Sequence, residues 1–192
     1  MKSSETSILV IAGYSGAAAI SEGHWQQRMV SKLSTAKIVE QDDWFYGSLS
    51  KAVGALVAAV TATDKPVVFV AHSAGCILVA HAVAALREAG VLVRIKGAFL
   101  VAPPSQQELE KLEPKIDAQM VKVPREPLPF VSIVIASSND HFSTLEQSAD
   151  IASAWGSDFV NAGEQGHINI DSGHGPWPEG MMKFAGWLSK LK

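Results

Sequence analysis

Cysteine is nearly missing from this chain. Cys76 is the only one, so no internal disulfide can form, and a lone thiol cannot build a thiolate zinc site. Charge of one sign is missing as well: sixteen Lys and Arg against nineteen Asp and Glu leave a net charge of -3, with no long run of either. That balance gives no electrostatic footing for nucleic acid or an anionic membrane, and a small or neutral partner is expected. The first apolar run, Ile8 to Ala12, is broken by Gly13. It is too short for a signal peptide or a membrane span, and a cytoplasmic protein is the expectation. Gly13 and Gly16 in GYSGAAAISEG do not make the G-x-G-x-x-G of a dinucleotide site, and no Gly-Lys-Ser/Thr follows for a phosphate loop. No nucleotide or other cofactor is expected. Internal repeats and low-complexity linkers are missing too.

What is present is apolar residue in quantity: 47% of 192 residues, with 18% charged. That suffices for one sizeable core, and the expected organisation is a single domain over residues 1–192. Short continuous runs rich in Val, Ile and Phe lie at 7–13, 36–40, 66–72, 95–104, 130–138 and 157–163. Such runs suit strands buried on both faces of a parallel sheet. Between them lie amphipathic stretches at 24–34, 47–63, 74–90, 143–156 and 178–192. Gly90 suits a helix C-terminus, Ser143 an N-cap and Pro178 a first helical turn. Regular alternation of strand and helix predicts an α/β fold with helices on both faces. One segment breaks the rhythm: residues 103–129 hold prolines at 103, 104, 114, 124, 127 and 129 with little apolar periodicity. A connection this long is either lid-like or an ordered excursion over the sheet edge.

At the end of the third run, VVFVAHSAGCILVAHAV puts Ser73 where a buried strand turns into a helix. A nucleophile elbow needs small residues two before and two after its serine, because the sharp turn presses them against the neighbouring strand and helix. Ala71 and Gly75 meet that need, with alanine where glycine is usual. The competing reading makes Ser73 a plain helix N-cap. Chain order favours the elbow, since α/β-hydrolases present their partners in the order Ser, Asp or Glu, His. Asp140 follows the fifth run in SIVIASSNDHF and His167 follows the sixth in FVNAGEQGHIN. Both would stand on the carboxyl edge of the sheet, where open α/β sheets bind ligands.

His167 lies close to its strand, whereas His174 lies farther out, in the loop approaching the last helix. His167 is therefore the expected base, and His174 is assigned to the substrate entrance. A metal shared by the two lacks a completing set of carboxylates or cysteines. His72, His81 and His141 are weaker candidates: the first neighbours the nucleophile, the second sits on the following helix, the third shapes the turn of the acid. Asp42 and Asp43 follow a strand on the far side of the first from the acid loop and are set aside. The oxyanion donors expected are the amides of Ala74, after the nucleophile, and Tyr14, after the first strand. Trp25, Trp44, Phe45, Tyr46, Phe142 and Trp177 lie near expected carboxyl-edge loops as aromatic candidates for the substrate pocket, with QDDWFYG the best placed and Trp44 and Trp177 assigned to substrate. Cys76 reads as buried packing, because apolar surroundings disfavour the thiolate.

The stretches VAHSAGCILVAHAV, SSNDHF and GHINIDSGHGPWPEG, with the early IAGYSG and HWQQRM, resemble the small serine hydrolases that include retinoblastoma-binding protein 9 and the bacterial YdeN proteins. The resemblance spans nearly the whole chain. It implies a compact α/β-hydrolase fold, a mostly parallel six-stranded sheet in the order 2-1-3-4-5-6 with no large cap domain. It also implies a triad formed by the elbow serine, the aspartate of the SSND-like stretch and the histidine of the GHIN-like stretch: Ser73, Asp140 and His167. The expected activity is cleavage of small carboxylic esters, with amides and thioesters as related substrates, through an acyl-enzyme. The alternative is a protein-binding module on a hydrolase fold with vestigial turnover, since one member of the family is named for a protein partner. Ala71 departs from the family's glycine.

Overall fold

Strand and helix form where hydrophobic spacing places them. The structure, a computed structural model, describes residues 1–14, 22–41, 48–112 and 116–192. Six strands pair in the order β2-β1-β3-β4-β5-β6: β1 (Ser7–Ile11), β2 (Ala36–Ile38), β3 (Val67–His72), β4 (Ile95–Val101), β5 (Val131–Ala136) and β6 (Asp158–Asn161). Every pairing is parallel. The central strand β3 is buried along its whole length. The edge strands β2 and β6 are shorter than the runs 36–40 and 157–163 suggest, and β6 is largely exposed. Keeping an edge strand short limits the unpaired backbone it offers to other chains.

Alternation along the strands divides the core in two, because successive side chains point to opposite faces. Leu9, Ile11, Phe69 and Ala71 pack with α2 (Leu49–Thr61), α3 (Ala74–Glu88) and α5 (Leu145–Trp155). Ile8, Val10, Val68 and Val70 pack with α1 (Trp25–Lys32) and α6 (Pro178–Lys190). Residue 90 takes φ +69° just past α3, the left-handed conformation that glycine reaches without a Cβ clash. Pro178 sits in the first turn of α6. The N-cap of α5 is Thr144 rather than Ser143: its hydroxyl accepts from the Gln147 amide, while Gln147 reaches back to the Thr144 amide. Ser143 instead accepts from the Ser148 hydroxyl inside the core.

The described residues of the excursion, 103–112 and 116–129, form an ordered wall. They carry α4 (Gln106–Glu110) and bury Leu109, Ile116, Met120, Val121 and Val123 against the α2–α3 face. Polar ties fasten them: Asp117 accepts from the Leu49 amide at the start of α2, His81 on α3 bonds the Lys122 carbonyl, and Arg125 forks onto Asp150 of α5. Among the described residues no helix is long and apolar enough to cross a membrane.

Candidate active site

Ser73 sits in the tight turn between β3 and α3 with φ +55° and ψ −131°. A non-glycine residue held there costs about 1–3 kcal/mol and persists only where its surroundings enforce it. The Ser73 amide donates to the Val101 carbonyl and its own carbonyl accepts from the Cys76 amide, both at 2.9 Å. Its side chain makes no capping bond to α3, so the plain N-cap reading does not hold. The small neighbours act as the elbow requires. Ala71 is fully buried, and a Cβ on Gly75 would stand 2.4 Å from the Ala12 carbonyl oxygen and 2.8 Å from that of Ile11. Backbone cannot rotate out of the way. Gly75→Ala is therefore expected to destabilise the fold by about 1–3 kcal/mol, read by urea denaturation. Gly54→Ala, on exposed helix with open space around it, should instead stabilise by up to about 1 kcal/mol.

Three loops at the carboxyl edge bring their side chains to this serine. His167 Nε2 lies 2.9 Å from Ser73 Oγ, and His167 Nδ1 lies 2.9 and 3.1 Å from the two oxygens of Asp140. The Asp140 side chain is 2% exposed, and Oδ1 also accepts from the Phe142 amide. With a carboxylate on Nδ1, the proton belongs on that nitrogen and Nε2 is left to accept from the hydroxyl. The Phe142 ring packs against the imidazole at 4.4 Å between centroids. Asn139 ties the acid loop to the histidine loop by accepting from the Gly166 amide. The loop turns sharply around His167, with φ +54° at Gly166 and +51° at Ile168. A β-branched residue rarely adopts that conformation.

His72 and His24 also border the site, and among the described residues neither has a carboxylate partner. His72 is buried, and its Nε2–H donates to the His167 carbonyl at 2.8 Å. Burial, the neighbouring His167 and then His24 together hold its pKa well below the usual histidine value, with the bond to the His167 carbonyl opposing them. His24 caps α1 through Nδ1. Burial and then His167 lower its pKa to about 4. Both rings stay neutral near pH 7, which leaves His167 as the imidazole that stands beside a carboxylate. Cys76 is fully buried with its thiol pushed far up by desolvation, which suits packing and not chemistry.

Ser73 opens into a cavity of about 450 Å³. Gly13, Tyr14, His24, His72 and Ala74 line it, with Leu109, Leu112, Phe142 and Ile170 as apolar side chains and Glu108, Lys111 and Asp171 as charged ones. Gly13 approaches closely enough that a Cβ there would lie 3.0 Å from Ser73 Cβ. Ala74 opens a helix of 15 residues, whose first-turn amides lack intrahelical partners.

The structure thus brings together Ser73, Asp140, His167, Ala74 and Tyr14. It does not bring Trp177 or His174 into the cavity lining. Trp177 is 4% exposed and packs edge-on against Trp25, which withdraws it from any ligand. His174 bonds Gln165 through Nε2 at 2.6 Å and stacks towards Trp177. Trp44, Phe45 and Tyr46 lie outside the described residues. Among the lining residues that the sequence left unassigned, Leu109 and Leu112 come from the proline-rich excursion. Its irregular length was the only sign of them. His24 came from the HWQQRM stretch, where nothing in the spacing distinguishes a cavity residue from a core one.

A parallel 2-1-3-4-5-6 sheet with a strained serine at the end of its third strand defines an α/β-hydrolase. Within that class, residues 8–186 match the family described as serine hydrolase, and the chain belongs to that family. Among solved structures, a protein from Pectobacterium atrosepticum described as a YdeN-like hydrolase superposes with a TM-score of 0.76 at 26% identity, over 96% of this chain and 91% of that one. The ydeN product of B. subtilis matches at TM-score 0.66 and 18% identity, over 97% and 100%. A Silicibacter protein described as a thioesterase matches at 0.65 and 22%, over 92% and 74%. No curated protein matches the chain by sequence.

Proposed function

We propose that this serine hydrolase cleaves carboxylic esters through a Ser73–His167–Asp140 triad and an acyl-enzyme on Ser73. The reading rests on the unbroken path from Ser73 Oγ to His167 Nε2 and from His167 Nδ1 to Asp140, each step 2.9 Å. His167 takes the hydroxyl proton as Oγ attacks the carbonyl carbon, and Asp140 holds the imidazole and stabilises its charged form. The tetrahedral oxyanion is received by the amides of Ala74 and Tyr14, each such donor being worth about 10²- to 10³-fold in rate. His167 then gives its proton to the leaving oxygen, and a water activated by the same histidine releases the acid. The apolar side chains of Leu109, Leu112, Phe142 and Ile170 accept the acyl chain. Thioesters of the same acyl chain present the same carbonyl to the site and belong in the same substrate panel.

A fluorophosphonate probe tests the nucleophile directly. Folded wild-type protein should be labelled at Ser73, and Ser73→Ala should abolish the label. Well-folded wild-type protein that takes no label would instead favour the protein-binding alternative.

A further inference from the structure

Two consecutive carbonyls carry the turn at His167, and each is held by a buried side chain from the other end of the sequence. His72 donates through Nε2 to the His167 carbonyl at 2.8 Å. Trp25 donates through Nε1 to the Ile168 carbonyl at 2.9 Å. Between these bonds lies the φ +51° of Ile168, a β-branched residue with no exposure. Left to itself, such a residue relaxes to negative φ, and the peptide between 167 and 168 would rotate with it. That rotation would carry the imidazole away from Ser73. The two donors are themselves braced. The Trp25 ring meets the edges of His72 and Trp177 at 6.0 and 5.2 Å, and the His72 ring lies 4.9 Å from that of His167.

We propose that His72 and Trp25 are positioning residues that clamp the main chain of His167 and so set the distance from its Nε2 to Ser73 Oγ. The proposal rests on the triad reading above. It assigns neither residue to contact with the reacting atoms: their effect reaches the chemistry through the placement of His167. A displacement of about 1 Å at a catalytic group can cost about 10²-fold in rate. Losing either clamp bond should therefore lower kcat about 10- to 100-fold and leave KM almost unchanged.

The test uses Trp25→Phe, which keeps an aromatic ring and removes the donor, and His72→Leu against His72→Gln, whose amide can restore one. Trp155→Phe is the control, because Trp155 is fully buried and donates to the Pro124 carbonyl on the opposite face of the sheet. It loses the same kind of bond, one made to Pro124 and not to the His167 loop. The expected result is a fall in kcat for Trp25→Phe and His72→Leu, recovery in His72→Gln, and wild-type kcat in Trp155→Phe at comparable loss of thermal stability. A second readout needs no turnover: the downfield proton NMR signal of His167 Nδ1–H bonded to Asp140 should weaken or broaden in Trp25→Phe and His72→Leu only. Unchanged kcat and an unchanged signal in those two variants, or equal losses in Trp155→Phe, would overturn the clamp. Should wild-type protein prove inactive and unlabelled, the triad reading fails, while the NMR signal still decides whether the clamp positions His167.

Discussion

His167→Ala is expected to lower kcat for p-nitrophenyl acetate by about 10⁴- to 10⁶-fold, with KM little changed. Without the imidazole at 2.9 Å, the Ser73 hydroxyl has no acceptor for its proton, and an unassisted hydroxyl is a poor nucleophile at neutral pH. The residue left over should come from substrate binding and the oxyanion donors alone. His174→Ala is the matched comparison, since both histidines stand in one glycine-flanked stretch. His174 makes its ring contact with Gln165 and Trp177, and it does not line the cavity. Its loss should lower kcat/KM far less than the loss of His167, because it reaches the site only through Gln165. Steady-state kinetics on the two variants decide between them, and the opposite ranking would reassign the base.

Asp140→Asn should lower kcat about 10⁴-fold, equivalent to about 5.5 kcal/mol of transition-state stabilisation. The substitution keeps size and shape but replaces an acceptor-only carboxylate with an amide. An amide nitrogen facing His167 Nδ1 favours the tautomer with its proton on Nε2, which then points a donor at Ser73 where an acceptor is needed. The charge that forms on the imidazole during attack also loses its counter-charge in a site where the Asp140 side chain is 2% exposed. Folding should survive, because the asparagine oxygen can still accept from the Phe142 amide now bonded to Asp140. Retention of more than a tenth of wild-type kcat in folded Asp140→Asn would remove Asp140 from the proposed triad.

Much of this arrangement was legible in one dimension because it is written in local chemistry. The parallel strands declare themselves as unbroken Val- and Ile-rich runs, and the elbow by Ala71 and Gly75 around Ser73. The helix signals at Gly90 and Pro178 fall where expected. The misplaced cap shows the limit of such signals: Ser143 and Thr144 are adjacent hydroxyls, and only the start of α5 at Leu145 decides which one meets the free amides. The pocket was less legible. Tryptophan carries no mark of whether it faces a ligand or the core, and Trp177 faces the core. Leu109 and Leu112 sit in a segment with no periodicity to orient them.

Sequence alone determined the alternation of strands and helices and the tight strand-to-helix turn at Ser73, and it offered Asp140 and His167 after it in the order a hydrolase would need. Those follow from residue size, apolar spacing and the geometry of a single turn, all of which act over a few residues. Tertiary structure decided how closely His167 meets the serine, what lines the cavity and what holds the His167 loop in its strained shape. Each of those depends on groups far apart in the chain, such as Trp25 against Ile168, and long-range contacts leave no trace in local composition.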